Sequence, residues 1–129
     1  MIHVKVTVKG EPDTSPFTRI FSYPKKTDEE IFMNSATMIK ERLDRNLKIN
    51  TNEALIVYSS YIVSELGENK SIEQIQKNAH RILNPDHVLI GVPETLREMS
   101  FEVKLDDKPT QLVILNTPIP VSDYVLKSI

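Results

Sequence analysis

LNPDHVLIGVPE, residues Leu83 to Glu94, carries the firmest start and stop signals in the chain. Asn84 suits an N-cap, and Pro85 fits the first helical position, where its missing N–H costs nothing. Asp86 falls in the first turn, where the helix dipole favours negative charge. Val88, Leu89 and Ile90 read as the apolar payload of a short helix. Gly91 can take the left-handed conformation that ends a helix, and Pro93 opposes a restart two residues later. So short and firmly bounded an element is expected to be a fixed joint between larger ones.

The period of the apolar residues differs on its two sides. Beyond Pro93, Phe101, Val103 and Leu105 alternate with Glu102 and Lys104, which predicts a strand. Asp106 to Pro109 (DDKP) is turn chemistry, and Gln111 to Leu115 predicts a second strand, antiparallel to the first. Asn116 to Pro120 then leaves the sheet. Before the joint the pattern is helical. Ser71 and Gln74 have capping-box spacing, with Ile72, Ile75, Ala79 and Ile82 as the buried stripe. Asn50 and Glu53 form another box, opening a helix whose wide apolar face (Ala54, Leu55, Val57, Tyr58, Tyr61, Ile62, Leu66) should make it the most buried; Gly67 is placed to end it. A first helix is expected from Thr27, boxed with Glu30, to about Arg45, with Ile31, Ala36, Met38, Ile39 and Leu43 as its stripe and Asn46 as its terminator.

Ile2 to Lys9 alternates strictly: Ile2, Val4, Val6 and Val8 share one face, His3, Lys5, Thr7 and Lys9 the other. Gly10 to Pro16 is turn-rich, and Phe17 to Tyr23 reads as a second strand ended by Pro24. The expected fold class is α+β. A small bundle of three to four helices is followed by an antiparallel β-hairpin, with an extra N-terminal strand or hairpin. The expected divisions are an N-terminal β extension over 1–26, a main domain over 27–120 and a C-terminal tail over 121–129. The apolar face of Ile2 to Val8 is expected to dock on an edge of the Phe101 to Leu115 hairpin, or on a neighbouring subunit.

Composition limits the function classes. A chain of 129 residues, 40% hydrophobic and 26% charged, fits one globular domain. Its formal net charge of −2 gives no electrostatic case for nucleic acid or an anionic membrane. With no cysteine, disulfides, thiol nucleophiles and thiolate metal sites are excluded. No apolar run approaches bilayer-spanning length, and the first residues lack the apolar core of a signal peptide. A cytoplasmic location is the expectation.

Few residues invite chemistry. His80 and His87 stand seven apart, but Asn84-Pro85 breaks any helix that would align them, and His3 is remote in sequence. Three scattered histidines without a thiol do not make a persuasive metal site. Glu94 and Glu98 could serve as acid and base, yet they read more simply as solvated charges after a proline turn. Ser59, Ser60 and Ser64 have no histidine placed near them by sequence. Tyr58 and Tyr61 fit core or interface, and the three glycines match no phosphate-binding pattern. No catalytic, cofactor-binding or metal-binding residue is assigned.

An ordered set of segments carries a resemblance. LKIN (Leu47 to Asn50) is followed by Asn52-Glu53-Ala54-Leu55, then Lys70-Ser71 after a polar turn, then Val88 to Glu94 with its GVPE ending, then the strand pair closing at Asn116 to Pro120. In that order and spacing the chain resembles the gamma subunit of urease from about Thr27 to Pro120. The resemblance implies a helical layer followed by a β-hairpin, with Met1 to Lys26 as an extension. It implies a non-catalytic structural subunit of a nickel enzyme that hydrolyses urea to ammonia and carbamate. The two nickel ions, bridged by a carbamylated lysine, belong to the alpha subunit, so no cofactor is expected in this chain. The implied partners are urease alpha and beta subunits, in a trimer of alpha-beta-gamma units. The alternative is a divergent, stand-alone interaction module; an independent enzyme ranks third.

Overall fold

The computed structural model describes residues 1–11 and 15–121. Part of the Gly10 to Pro16 turn and, beyond residue 121, the tail expected over 121–129 lie outside the described residues. Alternating valines favour a pleated, half-buried strand, and β1 (Ile2–Lys9) is one, with Ile2, Val4, Val6 and Val8 buried. It pairs antiparallel with β2 (Phe17–Tyr23) on one side and with β3 (Glu98–Leu105) on the other. With β4 (Gln111–Asn116) against β3, the four strands form one antiparallel sheet in the order β2-β1-β3-β4. The first strand of the chain therefore lies inside the sheet. The strand joins the hairpin edge as expected, but by its backbone, in full ladder pairing from Ile2↔Leu105 to Lys9↔Glu98, while the Ile2–Val8 face turns into the core.

Register aligns the buried residues in rows. Val6 stands beside Phe101, which stands beside Val113; Val8, Met99 and Leu115 form the next row. All six are at most 2% exposed. The opposite face carries Lys5, Thr7, Ser100 and Glu102 and is wet, as an antiparallel sheet covered on one side permits.

The helices cover the apolar face. α1 (Lys26–Asp44) starts earlier than its sequence signals imply: Lys25 is the N-cap and uses no side-chain bond. The Thr27–Glu30 box does not form, because Pro24 ends β2 so close to the helix that Thr27 already lies in its first turn. The buried positions are Phe32, Ala36 and Ile39, with Leu43 half-buried. Ile31 and Met38, expected inside, are 61% and 65% exposed. Phe32 decides which face turns inward: its ring stacks on Tyr23 at a centroid distance of 4.9 Å and meets Phe21 at 6.1 Å, both from β2. Ile31, one residue back, is carried about 100° round the helix, and Met38 precedes buried Ile39 in the same way.

α2 (Thr51–Gly67) opens with the expected box: Asn50 accepts from the Glu53 N–H at 2.8 Å, and Glu53 accepts from the Asn50 N–H at 3.1 Å. Glu53 also pairs with Arg42, tying the end of α1 to the start of α2. α2 buries nine residues, the most of any helix. Gly67 is its last residue, and the left-handed turn that follows falls on Asn69 (φ 61°). Asn46 (φ 62°) terminates α1 as expected. α3 (Ile72–Asn78) starts at the Ser71–Gln74 box, and a 3₁₀ turn over Ala79–Arg81 continues it. After β4, Ile119 turns back into the core and is fully buried.

Removing the Phe101 ring should cost about 3–5 kcal/mol, the usual range for a fully buried phenylalanine, measured by urea denaturation of Phe101→Ala. Because β1 is flanked on both sides, the Val4 and Val6 amides should exchange with deuterium as slowly as those of β3.

Candidate functional site

The joint around LNPDHVLIGVPE begins as its sequence implies. Asn84 accepts from the Asp86 N–H at 2.9 Å, and the Asn84 N–H donates to His87 Nδ1 at 3.1 Å. That second bond places the imidazole in the box position that glutamate or glutamine fills elsewhere. It makes Nδ1 an acceptor, so the proton of a neutral ring resides on Nε2. Pro85–His87 forms one 3₁₀ turn.

From Val88 the structure departs from the expected helix. Val88 bridges Ile49 in parallel, with Ile49 N–H donating to the His87 carbonyl at 3.0 Å and Leu89 N–H to the Ile49 carbonyl at 2.9 Å. Next, Val92 N–H donates to the Leu89 carbonyl at 3.2 Å, and Gly91 has φ 93° and ψ −15°. Those angles fit the third position of a type II turn, which requires positive φ. Gly91 is thus left-handed as expected, but it ends no helix. It caps the start of α4 (Val92–Thr95), and Pro93 sits in the first turn of that helix instead of blocking one. Val92, Pro93 and Leu96 are buried, so the backbone bridge and this anchor hold the chain between them in a turn and not a helix. As a result only Val88 of the apolar triplet is buried. Leu89 is 47% exposed, and Ile90, at the turn apex, is fully exposed.

The chemistry-bearing residues are dispersed. His3 is on β1 with Nδ1 3.1 Å from Ser22 Oγ, His80 is exposed in the turn after α3, and His87 caps the joint. Among the described residues no group of three or more His, Asp or Glu side chains is placed to hold a metal ion. Ser59 and Ser60 are sealed within α2, where Ser60 Oγ donates to the Val57 carbonyl at 2.9 Å and Ser59 Oγ has no partner. Ser64 is exposed on the same helix. Tyr58 is wholly buried with its hydroxyl unpartnered, and burial pushes its pKa far upward. Tyr61 donates to the Ile75 carbonyl at 2.7 Å; its pKa is raised by burial first and by the Glu65 carboxylate second. Glu94 is half-buried on α4, with one carboxylate oxygen enclosed and unpartnered, and Glu98 opens β3 between Lys9 and Asn116.

Among the described residues a cleft of about 510 Å³ lies between α1, α2 and the turns around Arg81 and His87. Leu43, Val57, Tyr61 and Ile82 give it apolar walls, and Lys40 and Arg81 face Asp44 and Glu65 around it. The charges balance, and of the two hydroxyls that line it, on Tyr61 and Ser64, that of Tyr61 is already spent on Ile75. This arrangement suits contact with another surface better than bond-making. Leu47 (51% exposed), Leu89 and Ile90 lie in the two segments joined by the Ile49–Val88 bridge and add apolar surface at that end. Sequence reasoning missed this surface by reading Val88 to Ile90 as one buried helical face. The available signal was Gly91 followed by Val-Pro, which also fits a turn that restarts a helix.

The model of the family described as urease, gamma subunit, matches residues 22–119. A urease subunit gamma of Halalkalibacterium halodurans is 35% identical over 92 residues, covering 70% of this chain and 91% of that protein. Its counterpart in Saccharopolyspora erythraea is 29% identical over 96 residues, covering 74% and 95%. That of Prochlorococcus marinus is 31% identical over 96 residues, with the same coverage.

Substitutions at two glycines separate conformational strain from steric crowding. A Cβ at either Gly67 or Gly91 meets nothing within 4 Å, so space is not the issue. Gly91→Ala should destabilise by about 1–2 kcal/mol, the penalty of left-handed backbone for an L-residue, and Gly91→Val by more. Gly67→Ala should stabilise by about 0.5–1 kcal/mol, because it adds a helix-favouring residue to the end of α2. Thermal melts of the three variants would check the opposite signs.

Proposed function

The chain belongs to the urease gamma-subunit family, and on that premise we propose that it is a non-catalytic, structural gamma subunit of a urease complex. The single observation that carries this reading is the match over 22–119, which spans nearly the full length of the curated relatives. In this reading the chain joins alpha and beta subunits, as a trimer of alpha-beta-gamma units in the cytoplasm. Nickel and the hydrolysis of urea to ammonia and carbamate belong to the alpha subunit. The donor set of this chain does not fit a nickel centre. Among the described residues its three histidines lie on separate elements, and no carboxylate cluster joins them. The contribution of the chain is then surface: the Leu47, Leu89 and Ile90 patch is of the apolar kind that obligate subunits bury.

Co-expression with alpha and beta subunits, followed by native mass spectrometry and nickel analysis, tests the proposal. The complex should contain this chain and nickel; the isolated chain should hydrolyse no urea and hold no stoichiometric nickel. A stoichiometric site in the isolated chain, lost on mutating His80 or His87, would overturn the non-catalytic assignment. A chain that stays apart from its partners would favour a stand-alone interaction module. Ile90→Asp should weaken retention in the complex about tenfold or more, as expected for an apolar anchor worth at least ~1.4 kcal/mol. Its melting temperature should hardly change, because Ile90 contributes nothing to the core.

A further inference from the structure

We propose that β2 is a self-pairing edge, through which two copies of this chain join their sheets antiparallel about a twofold axis at Ile20. The two edges of the sheet are managed differently. On β4, Gln76 of α3 donates through Nε2 to the Ile114 carbonyl at 2.8 Å, so a helix side chain occupies that margin. On β2, among the described residues, no backbone hydrogen bond reaches the strand from any element but β1. An unpaired row of N–H and C=O groups is a template for another strand, and proteins usually blunt it with lysine, proline, a bulge or brevity. Here β2 runs seven residues, contains no lysine or proline, and keeps unbroken register from Phe17↔Val8 to Tyr23↔Ile2. Its one charge, Arg19, folds along its own strand: the guanidinium lies 4.9 Å from the Phe17 ring centroid and donates to the Thr18 carbonyl at 3.2 Å.

The occupant is indicated by the sequence of the edge itself. FTRIFSY is close to a palindrome about Ile20. Laid antiparallel on a second copy, Phe17 stands opposite Tyr23, Thr18 opposite Ser22, Arg19 opposite Phe21, and Ile20 opposite Ile20. These are an aromatic pair, a hydroxyl pair, a cation beside a ring and an apolar pair, each a favourable cross-strand combination. A slip of one residue sets Thr18 against Phe21 and Arg19 against Ile20 and loses all of them. A twofold contact of this kind uses the same patch on both copies, so it closes as a dimer. It would also cover Ile20, which is 59% exposed on the open face of the sheet. Phe17 to Phe21, most of this edge, precede the segment that matches the urease gamma family.

The chain has no cysteine, so single-cysteine variants of the full chain report the geometry cleanly. Residues directly opposite across an antiparallel pair lie within disulfide reach. Under mild oxidation Ile20→Cys should cross-link to itself, whereas Leu112→Cys, 52% exposed on β4, should not. Thr18→Cys mixed with Ser22→Cys should cross-link between the two variants, and neither should cross-link alone. In sedimentation the unmodified chain should run at twice its own mass. Ile20→Lys, which opposes two like charges, should weaken the dimer at least tenfold while its thermal melt matches that of the unmodified chain at concentrations low enough for both to be monomeric. A monomeric unmodified chain, equal cross-linking at positions 20 and 112, or a dimer untouched by Ile20→Lys would each overturn the proposal.

Discussion

Val4, Val6 and Val8 have no exposed surface, because neighbouring strands stand on both sides of them and helices close over them. Full burial of one such side chain is worth about 1.5–3 kcal/mol, so this row is a large share of the marginal stability of a small domain. The rest of the architecture leans on it. β3 and β4 alone would be a two-stranded ribbon, which is marginal in water. β1 turns that ribbon into a sheet with a continuous apolar face, and β2 extends the face far enough for Phe21 and Tyr23 to receive Phe32. That aromatic contact fixes the rotation of α1, and the Arg42–Glu53 pair carries the orientation into α2.

Features governed by local rules were legible in the sequence. The alternation of β1, the boxes at Asn50 and Ser71, the terminator Asn46 and the β3–β4 hairpin each depend on residues a few positions apart. What was not legible depended on distant partners. Ile31 and Met38 look as fit for burial as Phe32; only the rings of β2 decide between them. The Thr27 box has correct spacing, but the helix begins too soon after Pro24 to use it. Gly67 and Asn69 compete to end α2, and the left-handed residue is the asparagine, two positions beyond the helix terminus one would assign from composition. At the candidate site, Asn84, Pro85 and Gly91 were read with the right local conformations. The parallel bridge to Ile49, which forbids a helix over Val88 to Ile90, has no local signature.

That bridge also organises the surface. Polar groups near it are consumed by structure: Asn84 and His87 cap one another, and Tyr61 is committed to Ile75. Apolar groups near it are released to solvent: the second residue of the turn is isoleucine, and it is fully exposed. A joint that spends its polar atoms on itself and offers hydrocarbon outward is suited to being gripped by a neighbour. The turn also holds Ile90 in place, so little ordering entropy is lost when a partner covers it.

The position of β1 inside the sheet also sets a timetable. β1 and β2 leave the ribosome before β3, which begins only at Glu98. Roughly ninety residues must be added after β1 before its second neighbour exists, a wait on the order of 5–20 s at ordinary elongation speeds. A hairpin closes in about 1–10 μs, so β1 and β2 can pair early, but as a marginal two-stranded ribbon with its valine face bare and both margins open. During that interval a β3 strand from another nascent chain on the same message could fill the gap, which is the route to strand exchange between copies. What the ribbon waits for is therefore the arrival of β3 and β4, and crowding of ribosomes on the message bears on how cleanly the domain folds.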